Sequence, residues 1–225
     1  PRRVLDQSND IKMLTTMEEK VELLENFGLD HLIVEPFTQE FSRLTALEFV
    51  RDILVNRLSL KKLVIGYDHH FGRNREGNFE QLTDFGELYG FEVIEIPAQT
   101  IESVSVSSTK IRKAIETGDM DSANSYLGYP YRLTGEIVKG QGLGRKLNFP
   151  TVNLRVEEDY KLVPMKGVYA VKTQVKDKEI LGMMNIGYRP TVGGNGRTIE
   201  IHLLDFQGDL YGQRLRVDVL ARLRD

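Results

Sequence analysis

The sequence predicts two architectures in series, an α/β half over residues 1–128 and a small antiparallel β-barrel over residues 129–225. Three observations predict this. In the first half, short apolar runs alternate with capped helical segments, the pattern of a parallel sheet with helices on its faces. Between Tyr131 and Arg224, about six runs rich in Val, Ile, Leu, Thr and Tyr follow one another without a helix, as in a barrel. Between them, Gly128-Tyr129-Pro130 punctuates the change.

The elements of the first half follow in order. Thr16-Met17-Glu18-Glu19 is a capping box that opens a helix through Val21, Leu24 and Phe27, stopped by Gly28. Leu32-Ile33-Val34 is expected to form a short buried strand. Thr45 and Glu48 form a second capping box, leading a helix through Phe49, Ile53 and Leu58. Leu63-Val64-Ile65 is the next strand, Asn78 to Tyr89 the next helix with Gly90 at its end, and Val93, Ile94 and Ile96 another strand. Ser107 to Thr117 reads as a helix closed by Gly118. In the second half the expected strands are 132–138, 151–154, 167–174, 180–186, 198–204 and 214–220. Thr198 to Leu203 alternates cleanly, placing Ile199, Ile201 and Leu203 on one face.

Composition excludes several functions. Of 225 residues, 30 are basic and 33 acidic, so the formal charge is −3, without the basic excess of a general nucleic-acid binder. There is no cysteine, hence no disulfide framework, cysteine-ligated metal or thiol nucleophile. No apolar run reaches the ~18–20 residues of a membrane span. A cytoplasmic protein without membrane or nucleic-acid partners is expected, its oligomeric state not readable from sequence. The chain begins Pro1-Arg2-Arg3 rather than with Met, which suggests a piece of a longer protein.

Four segments carry candidate chemistry. Gly66-Tyr67-Asp68-His69-His70-Phe71-Gly72 follows a strand, where ligands of open α/β sheets bind, although a solvated loop has the same composition. Adjacent histidines diverge, and no acidic or histidine cluster has metal-ligand spacing. Ser107-Ser108-Thr109-Lys110-Ile111-Arg112 opens a helix whose hydroxyls either cap its free N–H groups or share a phosphate with Arg112. Gly140, Gly142 and Gly144, followed by Arg145 and Lys146, form either a flexible hairpin loop or an anion cradle. Thr151 and Asn153, two residues apart, are suited to holding a hydrated Mg²⁺ and phosphate oxygens. Glu200, opposite in direction to Ile199 and Ile201, is either an exposed-face residue or a positioned base.

Taken together, these segments resemble the bacterial bifunctional riboflavin kinase/FMN adenylyltransferase, or FAD synthetase, family. The resemblance rests on Gly142-Leu143-Gly144-Arg145-Lys146-Leu147-Asn148-Phe149-Pro150-Thr151-Val152-Asn153, Asn185 to Thr191, Glu200 to Phe206 with Asp209-Leu210-Tyr211-Gly212, and the two first-half segments. It implies a Rossmann-like nucleotidyltransferase domain over 1–128, lacking its N-terminal part, and a riboflavin kinase domain over 129–225, lacking its C-terminal helix. The implied reactions are phosphorylation of riboflavin to FMN and adenylylation of FMN to FAD, with ATP in both and Mg²⁺ as cofactor. Family roles carried to matching positions make Thr151 and Asn153 the Mg·ATP ligands, Glu200 the base, and Gly140, Gly142 and Gly144 the phosphate loop. Ser108, Thr109 and Arg112 would hold phosphates of the second ATP, with Asp68 and Phe71 near nucleotide and flavin. The family's His-x-Gly-His element does not occur in the 225 residues, and Val152 stands where Ala is usual. A chain without that element is expected not to form FAD, which leaves a kinase alone, or a non-catalytic flavin- or nucleotide-binding module, as alternatives.

Overall fold

In the computed structural model the described residues are 11–97, 100–101, 104–139, 151–191 and 194–225. Among them one unit is Ile33–Ser105, and the other joins Ile11–Leu32 to Val106–Asp225.

In the first unit, the Thr45 capping box forms as expected. The Thr45 N–H donates to Glu48 Oε2 at 2.8 Å, and the Glu48 N–H donates to Thr45 Oγ1 at 3.1 Å. The helix Ala46–Glu48 then continues as π-helical turns through Phe49–Val55, burying Val50 and Leu54. Strand β1 (Lys62–Gly66) pairs in parallel with β2 (Glu92–Ile96). Between them runs a helix, Phe79–Tyr89, started by the Asn78 side chain and ended by Gly90 at φ +76°. Ala46, Val50, Leu54, Ile65, Phe71, Leu82 and Phe91 form this unit's core. A short antiparallel pair, β3 (Thr100–Ile101) and β4 (Val104–Ser105), follows β2.

The expected strand at Leu32-Ile33-Val34 does not form. Those residues are irregular and 40%, 63% and 57% exposed. A buried parallel strand needs a ladder partner and a covered face, and among the described residues this run has no ladder partner.

The second unit is built on a closed barrel of strands β5 (Tyr131–Val138), β6 (Val152–Arg155), β7 (Gly167–Val175), β8 (Lys178–Thr191), β9 (Gly194–Leu203) and β10 (Arg214–Arg224). Their order around the barrel is β10-β5-β6-β9-β8-β7, every neighbouring pair is antiparallel, and β10 closes on β7. The alternation read from sequence holds: Ile199, Ile201 and Leu203 point into the core with Leu133, Ile137, Leu154, Tyr169, Met184 and Val217. At Gly135 the strands approach so closely that a Cβ would stand 2.4 Å from the Arg155 carbonyl oxygen.

The division into units differs from the change of grammar at Gly128. The helix Ser108–Thr117 and the following helix Met120–Leu127, which the sequence reading did not separate out, insert Ile111, Ala114, Ile115, Met120 and Ala123 into the barrel's own core. Their apolar faces need cover, and the barrel supplies it. The helix Met17–Asn26 also belongs with the barrel. Its capping-box residue Glu19 is ion-paired to Lys161 at 2.6 Å, both side chains being 1% exposed. Lys161 Nζ also donates to the Leu14 carbonyl at 2.6 Å and lies 4.4 Å from the centre of the Tyr131 ring.

Candidate functional site

The candidate kinase site is a row of side chains across three strands of the barrel. Asn153 on β6 and Glu200 on β9 are direct cross-strand partners. Glu200 is in turn opposite Asn185 on β8. Residues directly opposite in an antiparallel pair project from the same face, with Cβ atoms about 4.5–5.5 Å apart. Because Leu154, Ile201 and Ile186 beside them are buried in the core, this row faces outward. Asn153 and Glu200 are half-buried, and Asn185 is exposed. Thr151, two residues before Asn153 and also half-buried, leads into the strand. Farther along β6 the face carries the Arg155–Glu136 ion pair.

Three of the expected kinase residues are thus gathered at one end of β6 and the middle of β9. Gly140, Gly142 and Gly144 lie outside the described residues. Larger cavities of this unit, of about 1030 Å³ by the Val175–Leu181 hairpin and about 610 Å³ against Val156 to Lys166, are lined by none of Thr151, Asn153 and Glu200. Among the described residues, the row is an outward strand face that lies outside those cavities.

The α/β segments divide differently. After β1 the chain turns, with the His69 N–H donating to the Gly66 carbonyl at 3.0 Å. Asp68, His69 and His70 are exposed there, whereas Phe71 is only 8% exposed and belongs to the unit's core. Its ring lies parallel to His69 at 6.2 Å and packs so tightly on Gly77 that a Cβ there would be 2.5 Å from it. Phe71 therefore braces the loop from beneath, and Asp68 is its exposed acidic group. At the other segment, Ser107 caps the helix, accepting from the Lys110 N–H at 3.4 Å, so Ser108 and Thr109 are left on the first turn. Arg112 is already engaged. Its Nε donates to the Lys12 carbonyl at 2.9 Å and one Nη to Ser108 Oγ at 3.1 Å. Ser108, Thr109 and Arg112 fall in the barrel-containing unit, Asp68 and Phe71 in the other. Among the described residues no group of three His, Asp or Glu side chains is placed to hold a metal ion.

Comparison with known proteins covers both halves. Residues 1–110 match the FAD synthetase family model, and residues 127–225 match the riboflavin kinase model. The bifunctional riboflavin kinase/FMN adenylyltransferase of Haemophilus influenzae is 37% identical over 226 residues, spanning 100% of this chain and 73% of its own length. The chain belongs to the bifunctional riboflavin kinase/FMN adenylyltransferase family. The Escherichia coli K12 member is 38% identical over 213 residues, covering 94% of this chain and 67% of its own length. The Listeria monocytogenes member is 40% identical over 208 residues, covering 92% of this chain and 65% of its own. A crystal structure described as a macrolide-efflux protein from Streptococcus pneumoniae superposes with a TM-score of 0.85 at 31% identity, over 94% of this chain and 68% of that one. No helix among the described residues is long and apolar enough to cross a membrane.

The kinship expected from the motifs is therefore borne out, as is the fold class of α/β followed by a β-barrel. Sequence reasoning gave Asn185 no role, although it lies in a segment that carried the family resemblance. Nothing in its immediate neighbours marks it. Only the pairing of β8 with β9 brings it beside Glu200.

Proposed function

We propose that the protein is an enzyme of flavin cofactor synthesis that phosphorylates riboflavin on the barrel unit and adenylylates FMN with its α/β segments, as the names of its relatives state for them. The observation that carries the kinase assignment is the direct pairing of Asn153 with Glu200 on an outward strand face. A carboxylate fixed by the pleat beside an amide and a nearby hydroxyl suits transfer of a phosphoryl group to an alcohol.

The terminal ribityl hydroxyl gives its proton to the Glu200 carboxylate as its oxygen attacks the γ-phosphorus of ATP in line, and ADP leaves. Thr151 and Asn153 offer a hydroxyl and an amide oxygen, hard donors of the kind Mg²⁺ accepts, and would hold it against the phosphates of ATP. When bound, Mg²⁺ neutralises charge on the phosphates. In the second reaction a phosphate oxygen of FMN attacks the α-phosphorus of another ATP and pyrophosphate leaves. Ser108, Thr109 and Arg112, at the start of a ten-residue helix, supply hydroxyls, backbone N–H groups and a cation for those phosphates. In the other unit, Asp68 is the exposed acidic group of the loop that Phe71 braces, and the resemblance assigns it a part in nucleotide and flavin binding.

The test incubates the purified protein with riboflavin and Mg·ATP and resolves FMN and FAD by chromatography. Glu200→Gln preserves shape and removes the base, so kcat for FMN formation falls by roughly 10²–10⁴, with a thermal melt confirming the fold. A folded Glu200→Gln protein that keeps more than about half of wild-type turnover refutes the assignment, since so small a loss lies below the general-base range.

A further inference from the structure

Resting on the kinase reading, we propose that Asn185 binds the substrate's polyol chain beside Glu200, in a notch that Gly187 leaves open, and so aims the reacting hydroxyl at the base. Three observations converge. Asn185 is the cross-strand partner of Glu200 on the side away from Asn153, so Glu200 sits between two amides, one toward the nucleotide ligands and one away from them. Asn185 is exposed, and its side chain takes part in no hydrogen bond among the described residues, which leaves its donor and acceptor available to a ligand.

The third observation is the shape beside it. Gly187 follows Asn185 by two residues on the same face and pairs with Thr198, itself two residues before Glu200. A Cβ placed on Gly187 would have the Thr198 hydroxyl oxygen at 3.6 Å and the Asn185 amide nitrogen at 3.8 Å. Among the described residues, Asn185 and Thr198 thus border a spot where the sheet has no side chain, with Glu200 diagonally across it. A slender chain of neighbouring hydroxyl groups matches it: apolar ligands gain nothing from polar borders, and a bulky ring does not fit a gap one side chain wide. With the terminal hydroxyl at Glu200, the next hydroxyl along the chain meets Asn185, whose amide can both donate and accept. Holding two adjacent hydroxyls fixes the direction of attack, the condition for an effective in-line transfer.

The test compares riboflavin with 4′-deoxyriboflavin, which lacks the hydroxyl next to the reacting one. Asn185→Ala should lower kcat/KM for riboflavin about tenfold, the effect of one neutral hydrogen bond. With the deoxy flavin the same substitution should change kcat/KM less than about twofold, because the partner group is already gone. Gly187→Leu should raise KM for riboflavin and leave KM for ATP unchanged. Asn185→Ser, which keeps a small donor, serves as the second variant if the alanine form melts early. Equal losses on both flavins would make Asn185 structural and overturn the inference, as would unchanged riboflavin kinetics in Asn185→Ala. In either case, loss of FMN formation in Glu200→Gln leaves the kinase reading standing. If Glu200→Gln keeps its turnover, the face is not the kinase site and both fall.

Discussion

Replacing Lys161 by methionine keeps most of the side chain's volume and removes one charge from the interior. The ammonium it removes is 1% exposed and touches Glu19 Oε2 at 2.6 Å, the Leu14 carbonyl at 2.6 Å and the face of Tyr131. Burial holds the Lys161 ammonium below the ordinary lysine range, against the pull of Glu19, so the pair is a compromise between desolvation and attraction. Without Lys161 the Glu19 carboxylate is left buried beside an uncompensated carbonyl, and its Oε1 already has no hydrogen-bond partner. Breaking one side of such a pair is expected to cost about 3–5 kcal/mol. For a domain of this size that lowers the melting temperature by roughly 6–20 °C. The assay is urea and thermal unfolding followed by circular dichroism, reading the transition of the barrel-containing unit. A second variant, Lys161→Met with Glu19→Met, should recover most of the loss and retain a deficit of about 0.5–2 kcal/mol, because Glu19 also closes the capping box on Thr16. A Lys161→Met protein within 1 kcal/mol of wild type, or a double variant no better than the single, would refute the argument.

In a form of the enzyme that carries the family's His-x-Gly-His element, Arg112→Ala should depress FAD formation from FMN by about 10–100-fold, the range of a lost charged hydrogen bond, while FMN formation persists. Equal loss of both activities would assign Arg112 to anchoring the Lys12 segment instead. Tyr131 is held well above the ordinary tyrosine value, first by burial and next by the Glu19 charge. The folded protein keeps that proton where the unfolded chain releases it, so stability is full below pH about 10 and declines as pH rises further. Tyr131→Phe should flatten this alkaline decline, measured by urea midpoints across pH 9–11, and lower stability near neutrality by about 1 kcal/mol through the lost bond to the Leu162 carbonyl. An unchanged slope would refute it.

Local signals were legible in the sequence and long-range pairings were not. Thr16–Glu19 and Thr45–Glu48 announced their helices because a capping box is complete within four residues. The barrel strands were legible from two-residue alternation, with bounds shifted by a residue or more. Leu32-Ile33-Val34 misled because three apolar residues do not show whether a sheet edge awaits them. The π-helical turns of Phe49–Val55 have the same apolar spacing as an α-helix, and so passed as one. For the site, the pleat gave the outward direction of Glu200. Its neighbours Asn153 and Asn185, 47 and 15 positions away in the chain, follow only from register.

Closure of the barrel at every seam constrains how this enzyme can change over time. β9 is bonded to β6 on one side and β8 on the other, so Glu200 has no free edge along which to drift. A deletion of one residue within Gly194–Leu203 would send every later side chain to the opposite face, driving a carboxylate into the core and an isoleucine into solvent. Lengthening a connection such as the Lys176-Asp177 turn, which lies outside the β7–β8 pairs, disturbs no ladder and carries only a slowly growing entropic cost. Variation among functional members should therefore accumulate as loop insertions and point substitutions, with the strands conserved in length around the outward row.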